Sequence, residues 1–299
     1  MSGATMGNLS DLYNLAKFAK RHPLASRNKK QTLVRFMRWQ LASRTIREPI
    51  VLPFIGDTRL IISKAMPGAA VNYYVGLPEV EEFALALHFL RPGELLGDIG
   101  ANIGALTVAA AGVAGARVVA MEPVPSTYRA LCDNVAINAL TNRVQTHQAG
   151  AGEVEGTLHF STGRGGCDRI MTDGTGQAIP VLPLDAVFAA GPPDMLVLDV
   201  EGFEPAVVKG ATRTLGDPRL KVVVAETLGL AADYGLDDKA MHQTMLGYGF
   251  QTCHYDPFRR RLNVTNGMDP VNTVYVRDLA AVQKRVVAAP SFEADGHAF

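Results

Sequence analysis

The run Asp98-Ile-Gly-Ala-Asn-Ile-Gly104 puts an acid and two glycines at the end of a short apolar stretch, Glu94-Leu-Leu-Gly-Asp98, and ahead of a helical one. Gly100 and Gly104 allow a tight turn and the close approach of a ligand, with Ala101 and Asn102 between them. A helix starting near Gly104 aims its free N–H groups and positive end at a carboxylate or phosphate. Glu122 ends the next apolar run, 22 residues after Gly100, and Pro123 follows it. A carboxylate so placed accepts the two hydroxyls of a ribose. These features fit an adenosine-containing cofactor. Two details choose among such cofactors. The dinucleotide fingerprint needs a glycine where Asn102 stands. Asp98, ahead of the turn, repels a pyrophosphate but suits a cation such as the ammonium and sulfonium of S-adenosylmethionine.

Methyl transfer from a sulfonium is an in-line displacement, so the protein mainly aligns the acceptor with the methyl carbon. An alcohol oxygen is a poor nucleophile and gains from a base. Asp199, Glu201 and Glu226 lie at the ends of later apolar runs. If Asp199 and Glu201 continue a strand, they share a face. Glu201 is the first candidate base, with Asp199 as its orienter or a cofactor contact, and Glu226 is the alternative base. A competing role for Asp199 and Glu201 is to cap the following helix together with Glu204. The three acids also suit a divalent ion. Without an EF-hand loop or a histidine cluster, no metal is expected. His147 and His159 fall in strands and are expected to pack, and His242 is a distant third base. The loop Arg164-Gly-Gly-Cys-Asp-Arg169 is a candidate lid, and Tyr73-Tyr74 through Glu79 either covers the cofactor or simply packs.

Several segments together resemble the FkbM family of S-adenosylmethionine-dependent methyltransferases. They are DIGANIG, MEP at 121–123, NVAINAL at 134–140, Pro183-Leu184-Asp185, LDVEGFEPAVVKGA at 198–211 and a closing Val-Ala-Glu226. The resemblance runs from about Tyr73 to Arg277. It implies a Rossmann-like α/β fold with a seven-stranded, mostly parallel sheet whose last strand is antiparallel. It also implies methyl transfer, most often to a hydroxyl oxygen of a sugar or natural product. The turn Ala149-Gly-Ala-Gly152 departs from the family's more polar one, and Gly150 stands at the adenine side.

Those residues need a scaffold, and the chain supplies strand and helix signals in alternation. Glu79–Leu90 reads as a helix, 94–98 as a strand, 105–112 as a helix, 117–122 as a strand, and a helix from Pro125 leads to a strand over 143–149. Thr157–Phe160 reads as an extra short strand and Ser161–Gly176 as a loop. Met195–Asp199 and Leu220–Glu226 are continuous apolar runs, the sign of buried parallel strands. Strands near Phe250–Tyr255 and Thr273–Arg277 are expected to pair as a hairpin with a long loop. Such α/β alternation gives a parallel sheet with helices on both faces, and ligands bind at the carboxyl ends of its strands.

The 299 residues are 47% hydrophobic and 19% charged, with zero net charge, which fits a globular fold and not a disordered chain or a nucleic-acid-binding one. Three scattered cysteines without a CxxC argue against a disulfide scaffold and point to a reducing, cytoplasmic setting. No segment reads as a signal peptide or a membrane span. The charge is uneven. Residues 1–47 hold ten Lys/Arg and one acid, so the rest of the chain is net acidic. We expect a basic helical arm over 1–60, the cofactor-binding domain over 61–278 and a mobile tail over 279–299. In the arm, Ser10 suits the start of one helix and Asn28 that of a second, with Leu33, Phe36, Met37 and Leu41 as its inner stripe. The arm is a candidate surface for an anionic substrate, a membrane or a second subunit. The main expectation is an O-methyltransferase with a small-molecule or glycan acceptor. The alternatives are N-methylation of an amine, a non-catalytic protein working through the arm, and a nicotinamide enzyme.

Overall fold

Runs such as Met195-Leu-Val-Leu198 and Val222-Val-Val-Ala225 are apolar at every position, because both faces of the sheet they build are covered. The computed structural model describes residues 22–45, 48–63, 72, 73, 75–161 and 168–299. Strands β3 (Leu95–Ile99), β4 (Arg117–Met121), β5 (Val144–His147), β9 (Met195–Leu198) and β10 (Val222–Glu226) are parallel, in the spatial order β5-β4-β3-β9-β10. The chain first builds outward from β3 to β5, then returns to the other side of β3 with β9. The switch point, where such sheets open a crevice, therefore lies between β3 and β9.

Alternate residues feed two cores. Leu96, Val118, Val197 and Val224 face one side, with helices α2 (Val80–Phe89), α3 (Ala105–Gly112) and α4 (Pro125–Ile137). Ile99, Val119, Leu198 and Val223 face the other, with α5 (Leu184–Val187), α6 (Glu204–Lys209), α7 (Thr212–Gly216) and α8 (Asp238–Gly247). Strand β13 (Asn272–Val276) runs antiparallel between β10 and β11 (Gln251–Asp256). The expected pairing of the last two strands is thus present. Their long loop holds one more strand, β12 (Arg261–Val264), which pairs with β11 and makes the sheet eight-stranded instead of seven.

Other elements correct the sequence reading. A hairpin of β1 (Ile50–Pro53) and β2 (Arg59–Ile62) straddles the boundary expected at residue 60, where only a helical arm was read. It is tied to the domain by asparagines: Arg59 N–H donates to Asn138 Oδ1 at 2.8 Å and Ile61 N–H to Asn134 Oδ1 at 2.6 Å. The strand expected over 143–149 stops at His147, and Gly150–Ala151 (β6) joins a separate small sheet with β7 (Gly156–Phe160) and β8 (Gln177–Leu182).

Helix α1 (Lys29–Thr45) begins after Asn28 as expected, but its inner face is different. Phe36 and Trp39 are buried, whereas Leu33, Met37 and Leu41 face outward. Two aromatic rings bury more apolar area than the aliphatic stripe, and they decide which way the helix turns. Residues 279–299 are not a mobile tail. Asp278 caps α9 (Leu279–Val287) by accepting from Ala281 N–H at 3.2 Å, and Val282 and Val286 seat the helix in the core. Phe292 and Phe299 then stack with ring centroids 5.1 Å apart. No helix among the described residues is long and apolar enough to cross a membrane. The helix expected after Ser10, Tyr74 and the loop segment containing Cys167 lie outside the described residues.

Candidate active site

The site begins where β3 and β9 end side by side. Gly100 has φ +89°, and a Cβ built on it would lie 1.7 Å from the Asp199 carbonyl oxygen. Only glycine lets these two turns meet at the switch point. Gly100 and Ala101 N–H groups both donate to the Met121 carbonyl at 2.9 Å, which locks the turn to the end of β4. Gly104, φ +81°, caps α3 in the left-handed region, where a Cβ would strike Leu131 Cδ1 at 2.4 Å. Asn134 Nδ2 braces the same turn by donating to the Ile103 carbonyl at 2.8 Å.

Glu122 is fixed from both sides. Its Oε2 accepts from Asn102 N–H at 3.0 Å and its Oε1 from Val124 N–H at 2.9 Å. Each oxygen keeps a free lone pair, so the carboxylate can still accept two further donors. Burial raises its pKa to about 7, against the pull of the Val124 and Asn102 N–H groups. Asp98 is buried, and Thr107 Oγ1 donates to its Oδ2 at 2.5 Å. Burial raises Asp98 to about 6, with the Thr107 bonds opposing the rise.

The other half of the site is a group of acids. Strand β9 stops at Leu198, and Asp199 to Gly202 form a turn. Asp199 and Glu201 therefore do not share a strand face. Glu201 sits at φ +54° and Gly202 at φ +97°. The turn still leaves Asp199 and Glu201 on one cavity wall. Glu204, buried at the start of α6, holds it by accepting from Val200 N–H at 2.8 Å. That capping role belongs to Glu204, whose pKa burial raises to about 7.

Burial, then the charges of Glu226, Glu79 and Glu201, hold Asp199 well above the ordinary carboxylate range. Burial and the charges of Glu201 and Glu204 raise Glu226 to about 8. Among the described residues no hydrogen bond reaches the buried Glu226 Oε2. Glu82 of α2, also buried, accepts from Asn272 Nδ2 at 3.5 Å and is pushed well up by burial and by Glu79, Asp199 and Asp98. Burial raises Glu201 too, while Arg169 pulls it down.

These turns line a cavity, open to solvent, at the carboxyl ends of β3, β4 and β9. Of the residues singled out from the sequence, Gly100, Asn102, Glu122, Pro123, Gly150, Asp199 and Glu201 line it. Asp98, Ala101, Gly104 and Glu226 are not among its lining residues. Asp168 and Arg169, from the loop read as a candidate lid, border it, whereas Phe160, Ile170 and Phe203, which give the cavity apolar faces, were missed. Phe203 carries a local signal, as it follows the Asp-Val-Glu-Gly turn directly. Phe160 ends the short strand expected over Thr157–Phe160, and Ile170 lies in the segment read as loop.

Of the remaining candidates, Tyr73 packs on Trp39 with ring centroids 6.4 Å apart, and His242 Nδ1 lies 3.2 Å from the Tyr275 hydroxyl. Among the described residues no group of three or more His, Cys, Asp or Glu side chains is gathered as a metal site.

Comparison with known proteins bears on this geometry. The solved structures similar to this chain include a methyltransferase FkbM from Methylobacillus flagellatus KT. It is 21% identical, with a TM-score of 0.45, over 70% of this chain and 52% of that one. This chain thus spans about half the length of that protein. Another is the O-methyltransferase TomG from Streptomyces achromogenes, in complex with SAM, at 14% identity and a TM-score of 0.41 over 83% of this chain and 98% of that one. The C-terminal domain of precorrin-6Y C5,15-methyltransferase from Rhodobacter capsulatus is 17% identical, with a TM-score of 0.40, over 66% and 87% of the two chains. No curated protein matches the chain in sequence. The family model for the methyltransferase FkbM domain matches residues 98–252, from the acid before the glycine turn to the start of β11 and just over half of the chain. The chain therefore belongs to the FkbM methyltransferase family.

Proposed function

We propose that the chain is an S-adenosylmethionine-dependent O-methyltransferase that methylates a hydroxyl of a sugar, glycan or natural product. The observation that carries this reading is a cavity lined by Gly100 and Asn102 of the glycine turn together with Glu122, and by Asp199 and Glu201 of the turn after β9. The residues present fit the cofactor. Glu122 has one lone pair per oxygen left for a ribose diol. Phe160, Ile170 and Phe203 offer apolar surface to a flat ring. The ion pairs among the described residues include none of Asp98, Glu122, Asp199, Glu201 or Glu226, so no direct Lys or Arg ion pair there competes with a ligand bearing positive charge.

Bound there, S-adenosylmethionine supplies a methyl carbon on a positively charged sulfur. The chain's own contribution is alignment and proton handling. Glu122 and Asn102 fix the nucleoside end, and Asp98 sets the negative potential behind the turn. Glu201 is the base. It is the less enclosed acid of the group, is drawn toward its ionised form by Arg169, and receives the proton of the acceptor hydroxyl at a carboxylate oxygen. Asp199 and Glu226, both shifted toward their neutral forms by burial and by neighbouring acids, orient the acceptor by hydrogen bonds.

Calorimetric titration with S-adenosylmethionine tests the cofactor, with Asp98→Ala as control and NAD as comparator. Saturable binding that the substitution abolishes supports the reading, and binding of NAD in its place overturns it. Screening hydroxylated glycans and natural products for release of S-adenosylhomocysteine then tests the acceptor. The crowd of acids also favours a second reading, N-methylation of an amine. Turnover that survives Glu201→Gln would remove the base and favour it.

A further inference from the structure

Helix α1 has two apolar faces and no acidic residue. Phe36 and Trp39 bury one of them. The other is bare, with Leu33, Val34, Met37 and Leu41 exposed by 51%, 47%, 56% and 68%. At 3.6 residues per turn, Leu33, Met37 and Leu41 form one line with Val34 beside it. Lys30 falls within this stripe, and Lys29 and Arg38 flank it. A surface helix of a globular protein normally turns polar residues outward. Here the outward face carries large aliphatic side chains set among cations with long apolar stems.

The helix is held so that this face stays outside. Arg35 pairs with Asp295, and Trp39 rests on Tyr73. We propose that this face docks on an anionic lipid surface. Its aliphatic residues would enter the headgroup boundary, and Lys29, Lys30 and Arg38 would snorkel to the phosphates. A second copy of the chain is the poorer occupant. A two-fold interface sets a patch against itself, which would bring Lys30 and Arg38 against their own counterparts. The wider charge agrees, since residues 1–47 hold ten Lys/Arg against one acid while the rest of the chain is net acidic. The helix lies on the membrane and does not span it, because its 17 residues include five Lys/Arg. This proposal does not depend on the chemistry of the cavity.

Flotation of the full chain with vesicles of phosphatidylcholine, or of phosphatidylcholine mixed with phosphatidylserine, tests it. We expect binding to the mixed vesicles at low salt, weakened by added salt. The triple variant Leu33→Asp, Met37→Asp, Leu41→Asp should bind at least about tenfold more weakly. Lys30→Ala alone should cost about fivefold. All four positions face outward, so unfolding temperature and S-adenosylmethionine affinity should match the wild type, which separates lost docking from lost folding. Wild-type protein that ignores both vesicles, or a triple variant that binds as well as wild type, overturns the proposal. A concentration-dependent dimer that the triple variant breaks, with vesicles left unbound, assigns the face to a second copy instead.

Discussion

Acids stand on both sides of the cavity, and the two sides differ in what holds those acids. On the β3/β4 side, Glu122 takes a backbone N–H on each oxygen and Asp98 takes the Thr107 hydroxyl. Fixed donors partly offset the effect of burial there. On the β9/β10 side, Glu201 raises both Asp199 and Glu226, Glu226 raises Asp199 in turn, Glu226 Oε2 has no hydrogen-bond partner among the described residues, and Glu201 sits in a left-handed turn. The first wall is complete before any ligand arrives. The second is under strain and charge repulsion that a proton, a cation or a donating hydroxyl relieves. Preorganisation and stored strain thus face each other across the switch point.

Substitutions can break that contrast, beginning with the point where the walls touch. Gly100→Ala would push a Cβ into the Asp199 carbonyl and force both turns apart, and we expect a loss of about 4 kcal/mol or more in chemical denaturation. Asp98→Asn keeps the shape of its wall and removes the charge. Folding should be retained while S-adenosylmethionine affinity falls by about 3 kcal/mol in calorimetry.

On the strained wall the sign reverses. Glu226 has a folded pKa of about 8 against an ordinary 4.5, so the fold favours its neutral form. Its contribution to stability is present in full below the ordinary value and is lost as the pH rises through about 8. Melting temperature should therefore fall between pH 5 and pH 8. Glu226→Gln should flatten that slope and stabilise the protein by about 2 kcal/mol at pH 8. The smallest effect sharpens the contrast most. Glu201→Gly relieves φ +54° and should add about 1 kcal/mol to stability while turnover drops. If it destabilises instead, the turn is not strained and the contrast fails.

The first wall was largely legible in the sequence, because its parts lie on consecutive strand ends and each residue type has one evident use there. The second was legible only in composition. Asp199, Glu201 and Glu226 stand out as acids ending apolar runs, but period-two reasoning predicted a strand where a left-handed turn stands, since nothing in Asp-Val-Glu-Gly announces that Glu204 reaches back to the Val200 N–H. Residues from the middle of the chain were hidden for another reason. Strand β8 carries Pro180 and an exposed face, so it lacks both a donor and an alternating apolar signal. The fold of residues 279–299 was missed because two valines and two stacked phenylalanines suffice to seat a segment that has no long period. The asparagines at 134 and 138 stood out only within a resembling segment. In the structure they are the fasteners of the β1–β2 hairpin and the glycine turn.

Strand β13 lies between β10 and β11 although it follows both in the chain. A ribosome delivers them in the opposite order. The nascent domain must therefore hold Val222-Val-Val-Ala225 with an unpaired edge while some fifty residues, from Glu226 to Val276, are still to be added. At about 5–20 residues per second, that interval is roughly 3 to 10 seconds. A β-branched edge left open that long is a template for pairing with another chain. The vulnerable moment of this protein's life comes during synthesis, before its sheet can close.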